Sequence, residues 1–410
     1  MGPRSEFLEM APKYARLVLV VGMFRAVTTL GAQPAPAANG SSTPIVLQGV
    51  VPTLRLRGPV EELPEGFESV MSIRELRNGR VLVTTGRDGT PMLVSFRDRS
   101  VTAVSRTGDG PGEFRTPTQL IGIGGDSTLV VDRNKWILIV DDRAVRTLMV
   151  WTALHSGATF RGGDNRGRVL EMRPSKFGQD ARTVVYQVPV NAESTVVLVH
   201  ERGIVGASPG IVATDTVARL RGPFRGVRNH SRPMEGLQKP VTFQLRQPLA
   251  TGDQALLFAD GWIALVHASP YRVEWRRPDG TSQLGEPIPR QLAPVDDLQK
   301  RAAIAKEWAP NAPAFGPSDY PPWPSVLPPF LDDPVLALPD GGIAIRQAAD
   351  ARRPGNFYDL IDRRGALTGE LVLPIQERVV GFGGMSVYVV RRDSDDVEWL
   401  QRRPWPPQLR

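Results

Sequence analysis

Apolar residues along this chain come in short runs, paired across tight turns of Gly, Asp and Asn. The first pair runs from Val70 through Ile73 to Leu76, turns at Asn78-Gly79 and continues as Val81-Leu82-Val83. Asn-Gly between apolar alternations is the strongest local signal for a β-hairpin. The second pair is Leu120-Ile121-Gly122-Ile123 and Leu129-Val130-Val131-Asp132 around Gly124-Gly125-Asp126. The third joins Thr159-Phe160-Arg161 to Val169-Leu170-Glu171-Met172 across a turn from Asp164 to Gly167. The fourth joins Ala255-Leu256-Leu257-Phe258 to Ile263-Ala264-Leu265-Val266 through Asp260-Gly261. Val335-Leu336-Ala337-Leu338 and Ile343-Ala344-Ile345, around Asp340-Gly341-Gly342, make the fifth. Val379-Val380-Gly381-Phe382 and Val387-Tyr388-Val389-Val390, around Gly383-Gly384, make the sixth.

The turn glycines at 79, 125, 167, 261, 341 and 384 are spaced by 46, 42, 94, 80 and 43 residues. The three short intervals match one four-stranded unit of a radial β array, and such repetition marks a propeller rather than an ordinary core. The two long intervals read as insertions. Further apolar runs at 91–96 and 101–104, 136–140 and 147–150, 183–188, 196–199 and 217–220, 271–276, 357–362 and 371–373 supply outer strands. The sixth unit has only 397–400 after its hairpin. The strand at 51–56 is expected to fill the missing place and so remove an open sheet edge. The pattern therefore predicts an all-β fold: a six-bladed β-propeller of four-stranded blades, with the N-terminal strand closing the last blade. Residues 45–405 form it, with insertions at about 221–240 and 292–334. The first insertion reads as a Gly/Pro/Arg-rich loop. The second carries one helix opened by Pro294 and ended by Pro310, with Leu298, Arg301, Ala302, Ala305 and Trp308 on one face. A proline-rich, aromatic loop follows it.

Composition agrees with many turns: 40 glycines and 38 prolines in 410 residues. With no cysteine, disulfides, thiolate metal sites and a cysteine nucleophile are excluded. The net charge of +7 is spread along the chain without long basic runs, which argues against a nucleic-acid face. Lys13 and Arg16 precede the apolar run from Leu17 to Phe24, and Gly31-Ala32-Gln33 offers a small-residue cleavage point. This is the layout of a secretory signal. Residues 1–32 are expected to be a signal peptide and 33–44 a Pro/Ala/Ser linker. The protein is then exported, periplasmic or extracellular, monomeric, and free of an integral membrane segment.

Gly108-Asp109-Gly110-Pro111-Gly112-Glu113-Phe114 with Pro117, followed by Val131-Asp132-Arg133-Asn134-Lys135-Trp136-Ile137-Leu138-Ile139-Val140, resembles the NHL-type units of bacterial six-bladed β-propellers. The other five units share only the strand–turn–strand pattern. The resemblance implies the same fold across residues 45–405 and an exported bacterial protein. The alternating glycines are not a phosphate loop, because no Gly-Lys-Ser/Thr follows them.

Candidate chemistry is sparse. The histidines are His155, His200, His230 and His267, and none has metal-ligand spacing. His200 and His267 end apolar strands, and Glu75 and Glu171 are the inner-strand carboxylates. Exported propellers of the resembling kind include metal-dependent lyases and lactonases, which need such ligands to converge on the central channel. No Gly-x-Ser-x-Gly elbow occurs. Asp132, Asp141, Asp142, Asp393, Asp395 and Asp396 read as strand-end turn residues. The expectation is no metal and no cofactor, with catalytic residues unassigned. Long insertions on a rigid scaffold often carry function. Arg225, Arg228 and Arg232 in the first, with Trp308, Tyr320, Trp323 and Phe330 in the second, are the candidate surface for a protein, peptide or glycan ligand. The function expected is a non-catalytic binder. The alternative is a metal-dependent lyase or lactonase-type enzyme with its site in the channel.

Overall fold

The computed structural model describes residues 51–405 except 59, 86–88, 133–134, 140–144, 147–158, 175–193, 206–207, 224–225, 233–240 and 308–314. The expected signal segment and linker, and the expected strand at 183–188, lie outside the described residues. None of the described helices is long and apolar enough to cross a membrane.

The described chain is almost entirely β, built from antiparallel meanders in sequence order. The first contains Ser72–Glu75, Val81–Thr84, Met92–Ser95 and Ser100–Ala103. The second contains Pro117–Gly122, Thr128–Asp132, Lys135–Ile139 and Val145–Arg146. The third contains Thr159–Gly163, Val169–Pro174, Ser194–Val205 and Ser208–Arg221, and the fourth Gln254–Leu257, Ile263–Ala268, Tyr271–Arg276 and Ser282–Leu284. Phe330–Ala337, Ile343–Gln347, Asn356–Ile361 and Leu367–Leu373 make the fifth, and Glu377–Phe382, Ser386–Arg392 and Glu398–Pro404 the sixth. The second strand of a meander is the most buried: all four residues of Val81–Thr84 and all five of Thr128–Asp132 are buried. That requires cover on both faces, which explains why these strands read as unbroken apolar runs.

The cover comes from neighbouring meanders. Leu76, Leu82, Phe114, Leu120 and Val130 pack between the first and second. Phe258, Tyr271, Trp275, Phe330, Ile343 and Ile361 pack between the fourth and fifth. Leu338, Tyr358, Leu371, Val379, Val387 and Trp405 lie between the fifth and sixth. Phe67, Val81, Phe96, Tyr388, Val390 and Leu400 join the sixth back to the first. The innermost strands touch one another in sequence, and Glu377–Phe382 touches Ser72–Glu75. Meanders packed face to face in succession, each with its first strand innermost, are the architecture of a β-propeller.

Local turns follow the sequence. At Asn78-Gly79, the Gly79 N–H donates to the Leu76 carbonyl at 2.9 Å and the Arg80 N–H to Asn78 Oδ1 at 3.0 Å. The glycine-rich 108–114 segment links the first two meanders and buries Phe114 completely.

Three expectations change. The N-terminal strand Thr53–Arg55 does not complete the sixth meander; it adds in parallel to Leu367–Leu373 of the fifth. Leu54 and Leu56 pack there with Leu371 and Trp405. The strand beside Glu398–Pro404 is instead Glu61–Glu62. The first insertion is not simply a loop: Val227–Arg232 and Val241–Arg246 form a hairpin. The helix spans Asp297–Glu307, but its inward face is turned from the expected one. Leu298 is 51% exposed while Gln299 is 3% exposed. The Gln299 carboxamide donates to Asp350 and accepts from the Ala351 N–H at 3.2 Å, so hydrogen bonding orients the helix.

Gly162 marks the tightest approach of a described glycine to the backbone of a neighbouring meander. It pairs in parallel with Leu257, at φ +91°, and a Cβ there would lie 2.2 Å from the Leu257 carbonyl oxygen. Left-handed strain and overpacking each cost about 1–3 kcal/mol. Gly162→Ala is therefore expected to destabilise by about 2–4 kcal/mol, read as a lower denaturant midpoint with the fold retained.

Candidate functional site

In a four-stranded meander, the fourth strand ends on the side where the first begins. Links between meanders therefore share one face, as do turns between second and third strands. Both insertions are such links, so they rise from this loop face.

The insertions interlock. Leu245 of the hairpin is buried with Phe315 and Tyr320, and Phe243, Ile304 and Trp323 pack around them. Phe243 and Phe315 meet edge to face at 5.3 Å, and Tyr320 and Trp323 lie 5.7 Å apart. Arg228 Nη1 donates to the Ser318 carbonyl at 2.7 Å. Trp323 Nε1 donates to the Pro317 carbonyl at 2.9 Å. Among the seven expected surface residues, Arg225 and Trp308 lie outside the described residues. Arg232 belongs to the hairpin strand Val227–Arg232, on the same strand as the exposed Arg228. Tyr320 is 2% exposed and Phe330 fully buried. The structure thus brings the two insertions together, and it spends the aromatic rings of Tyr320 and Phe330 on packing.

The second insertion is pinned to the fifth meander by an ionic cluster around two buried carboxylates, Asp359 and Glu370. Arg290 bonds Asp359 and, at 2.8 Å, Glu370. Arg353 reaches Glu370 at 2.6 Å, and Gln347 Nε2 donates to Asp359 at 3.0 Å and Glu370 at 2.9 Å. Tyr271 donates to Asp359 at 2.9 Å. Burial, with the Asp359 charge adding to it, pushes the Tyr271 hydroxyl well above its ordinary range. Burial also pushes the Glu370 carboxyl upward. Hydrogen bonds from Arg353, Gln347 and Arg290, with the Arg290 charge, outweigh that and hold it at about 2. None of Arg290, Asp359 or Glu370 was singled out from sequence, since residues up to 80 apart in the chain meet here.

The two strand-end histidines do not converge on one ion. His200 Nε2 lies 2.6 Å from Glu171 Oε2 and Nδ1 2.9 Å from Thr214 Oγ1, with both side chains of the pair 3% exposed. Arg173 completes the carboxylate's bonds. Burial pushes Glu171 up, but bonds from His200 and Arg173 leave its carboxyl below its usual value. His267 differs. Its Nδ1 lies 3.3 Å from Asp253 Oδ2 and its Nε2 3.7 Å from Glu274 Oε2, and the ring is 21% exposed. Asp253 also accepts the Ala268 N–H at 3.0 Å and the Arg221 N–H at 3.2 Å. Burial raises the Asp253 carboxyl, yet these bonds with that of His267 bring it below its ordinary value. The two carboxylates sit at opposite ring nitrogens, so they cannot share one cation with the imidazole. Among the described residues no group of three His, Asp or Glu side chains could hold a metal ion. The ligand set of a metal-dependent channel enzyme is therefore not a fit for these residues.

No protein-family profile matches the chain, and no curated protein matches it in sequence. Solved structures align with most of the chain. Regucalcin, a calcium-binding protein of Agrobacterium tumefaciens str. C58, is 10% identical, with a TM-score of 0.36 over 87% of this chain and 98% of that one. Virginiamycin B lyase from Staphylococcus aureus is 11% identical, with a TM-score of 0.39 over 85% and 99%. A luciferin-regenerating enzyme is 8% identical, with a TM-score of 0.41 over 85% and 96%. At this distance the activity of this chain has to be argued from its own residues.

Of the aspartates expected at strand ends, Asp393 anchors its own turn, Asp132 instead holds the link that precedes its meander, and Asp396 pairs with Arg392. Asp132 accepts the N–H groups of Arg115 and Thr116, both at 2.7 Å. Asp393 accepts those of Asp395 and Val397, both at 3.0 Å. Asp141 and Asp142 lie outside the described residues. Asp253 and Glu274 were missed. The signal for Glu274 is the alternation Tyr271-Arg272-Val273-Glu274-Trp275-Arg276, whose first, third and fifth residues are buried. The charged face of such a strand has to meet other polar groups.

Because the folded state depresses the Glu370 pKa from 4.5 to about 2, it contributes stability that is full above about 4.5 and is lost as pH falls toward 2. Glu370→Gln is expected to destabilise by about 1–3 kcal/mol at pH 7. The gap to the parent protein should close between pH 4.5 and 2 in denaturant unfolding. A gap that stays constant across that range would remove Glu370 as the titrating anchor.

Proposed function

We propose that the protein is a closed six-bladed β-propeller enzyme whose chemistry is carried out on the loop face by His267. Closure is supported by the contact between the first and last innermost strands and by the Glu61–Glu62 pairing with Glu398–Pro404. The observation that carries the enzymatic reading is the Asp253–His267 pair. A carboxylate fixed by two backbone N–H groups at the head of one strand orients an imidazole at the end of the next. Its ionised form directs the ring proton to Nδ1 and leaves the basic lone pair on Nε2. The Glu274 oxygen is too far from Nε2 for a hydrogen bond. His267 is thus an oriented, partly exposed base, whereas His200 is sealed in its meander.

Arg272 stands directly across the strand pair from His267, and its Nε is buried without a hydrogen-bond partner. A guanidinium beside an oriented base suits substrates in which negative charge develops as a proton moves. Lactone opening by an activated water, and β-elimination beside a carbonyl, are both of this class. This reading keeps the lyase or lactonase chemistry expected as the alternative, moves it from the channel to the loop face and routes no step through a metal. Binding through the aromatic insertion has less support, because Tyr320 and Phe330 are consumed in packing.

Purified protein assayed against a panel of lactones and β-eliminable carboxylic esters is expected to turn over one class. His267→Gln should lower the rate by about 10²–10⁴-fold with unchanged thermal unfolding, and Asp253→Asn should lower it less. Absence of turnover by the parent protein in both classes, or full activity in His267→Gln, would overturn the proposal and return attention to the insertions.

A further inference from the structure

A concavity lies on the loop face at the seam of the fifth and sixth meanders. It encloses about 400 Å³ between Asn356, Ile375, Glu377, Arg378, Arg392 and Glu398. Its rim is held by the chain itself. Asn356 Nδ2 donates to the carbonyls of Pro374, Ile375 and Glu377 at 3.4, 3.2 and 2.8 Å, and the Arg392 N–H donates to the Gln376 carbonyl at 2.9 Å.

The charged groups of the wall are satisfied with one exception. Glu398 accepts the Val70 N–H at 2.7 Å, Arg378 at 2.8 Å and Arg392 at 3.2 Å. Asp393, also on the wall, holds the Trp399 indole N–H at 2.6 Å besides its two backbone donors. Glu377 Oε1 takes Arg403 at 2.6 Å, but Glu377 Oε2 is buried with no hydrogen-bond partner. A buried carboxylate oxygen without a donor is costly. The wall itself carries three carboxylates, Glu377, Asp393 and Glu398, against two guanidiniums, Arg378 and Arg392. The terminal torsion of a glutamate is soft, so the carboxyl can turn to a donor entering from the cavity.

We infer that this cavity is a binding site for a small protonated amine, with Glu377 as the residue that receives the ammonium group. Ile375, 63% exposed at the mouth, covers the carbon chain of the ligand. The inference is independent of the activity proposed for His267.

The test is titration calorimetry of the full chain with putrescine and butylamine, with butanol and butyrate as controls. Both amines are expected to bind, and neither control should do so. Glu377→Gln should weaken amine binding at least tenfold. If that variant does not fold, Ile375→Trp, which fills the mouth from an exposed position, should abolish binding with thermal unfolding unchanged. Equal binding of butanol and butylamine, no amine binding at 20-fold molar excess and millimolar concentration, or undiminished affinity in a folded Glu377→Gln or Ile375→Trp would overturn the inference.

Discussion

The carboxylate of Glu398 is the point on which the rest of this fold depends. It is 1% exposed and belongs to the last meander, yet one of its donors is the backbone N–H of Val70, ahead of the first strand of the first meander. Arg378 doubles the tie by donating to both Glu398 and the Val70 carbonyl, and Phe67 exchanges backbone hydrogen bonds with Glu398 at 2.7 and 2.8 Å. An ionised group in such a place is tolerable only when its charge is covered and its lone pairs are filled. Both conditions are met only when the two ends of the chain are in register. The surrounding apolar cluster, from Phe67 and Val81 to Tyr388 and Leu400, supplies burial energy. The Glu398 network supplies the geometry.

That seam is also where a glycine lets a neighbouring side chain approach closely. A Cβ on Gly383 would fall 1.3 Å from the Glu75 carboxylate, so any side chain there would displace Glu75 from its place at the seam. The Tyr388 hydroxyl is raised by burial and by the nearby Glu75. The first and last meanders are thus matched by polar groups as well as by shape.

The repeating frame was legible in the chain because its cause is local. Asn78-Gly79, Asp260-Gly261 and Asp340-Gly341 set turns, and second strands such as Val81–Thr84 announce two-sided burial by continuous apolarity. What escaped was set by contacts remote in sequence. Leu54 and Leu56 mark a strand, but nothing local tells which outer edge it will join. The helix pattern favoured Leu298, while the partners that rotate the helix to Gln299, Asp350 and Ala351, lie some fifty residues later. The Val241–Arg246 hairpin strand does alternate in burial, a signal hidden by the Gly, Pro and Arg around it. The candidate sites were less legible still. His267 could be picked out as a strand-end histidine, but Asp253 becomes its partner only through the register of Gln254–Leu257 against Ile263–Ala268. Glu377 gains interest only from an oxygen left unbonded.

The parallel addition of Thr53–Arg55 to Leu367–Leu373 has a consequence for how the molecule is made. Together with Glu61–Glu62, it links residues near position 60 to residues near 370 and 400, so the contacts that finish the structure span most of the chain. Contacts of that sequence separation are slow to form and come last. During synthesis the early meanders emerge with exposed edges and no neighbour at the seam. The segment at 53–62 has to wait for its partners at 370–372 and 401–402. Synthesis of Glu398–Pro404, rather than growth of any one sheet, is then the event that commits the protein to its native state, and deleting that strand removes the partner on which the commitment rests.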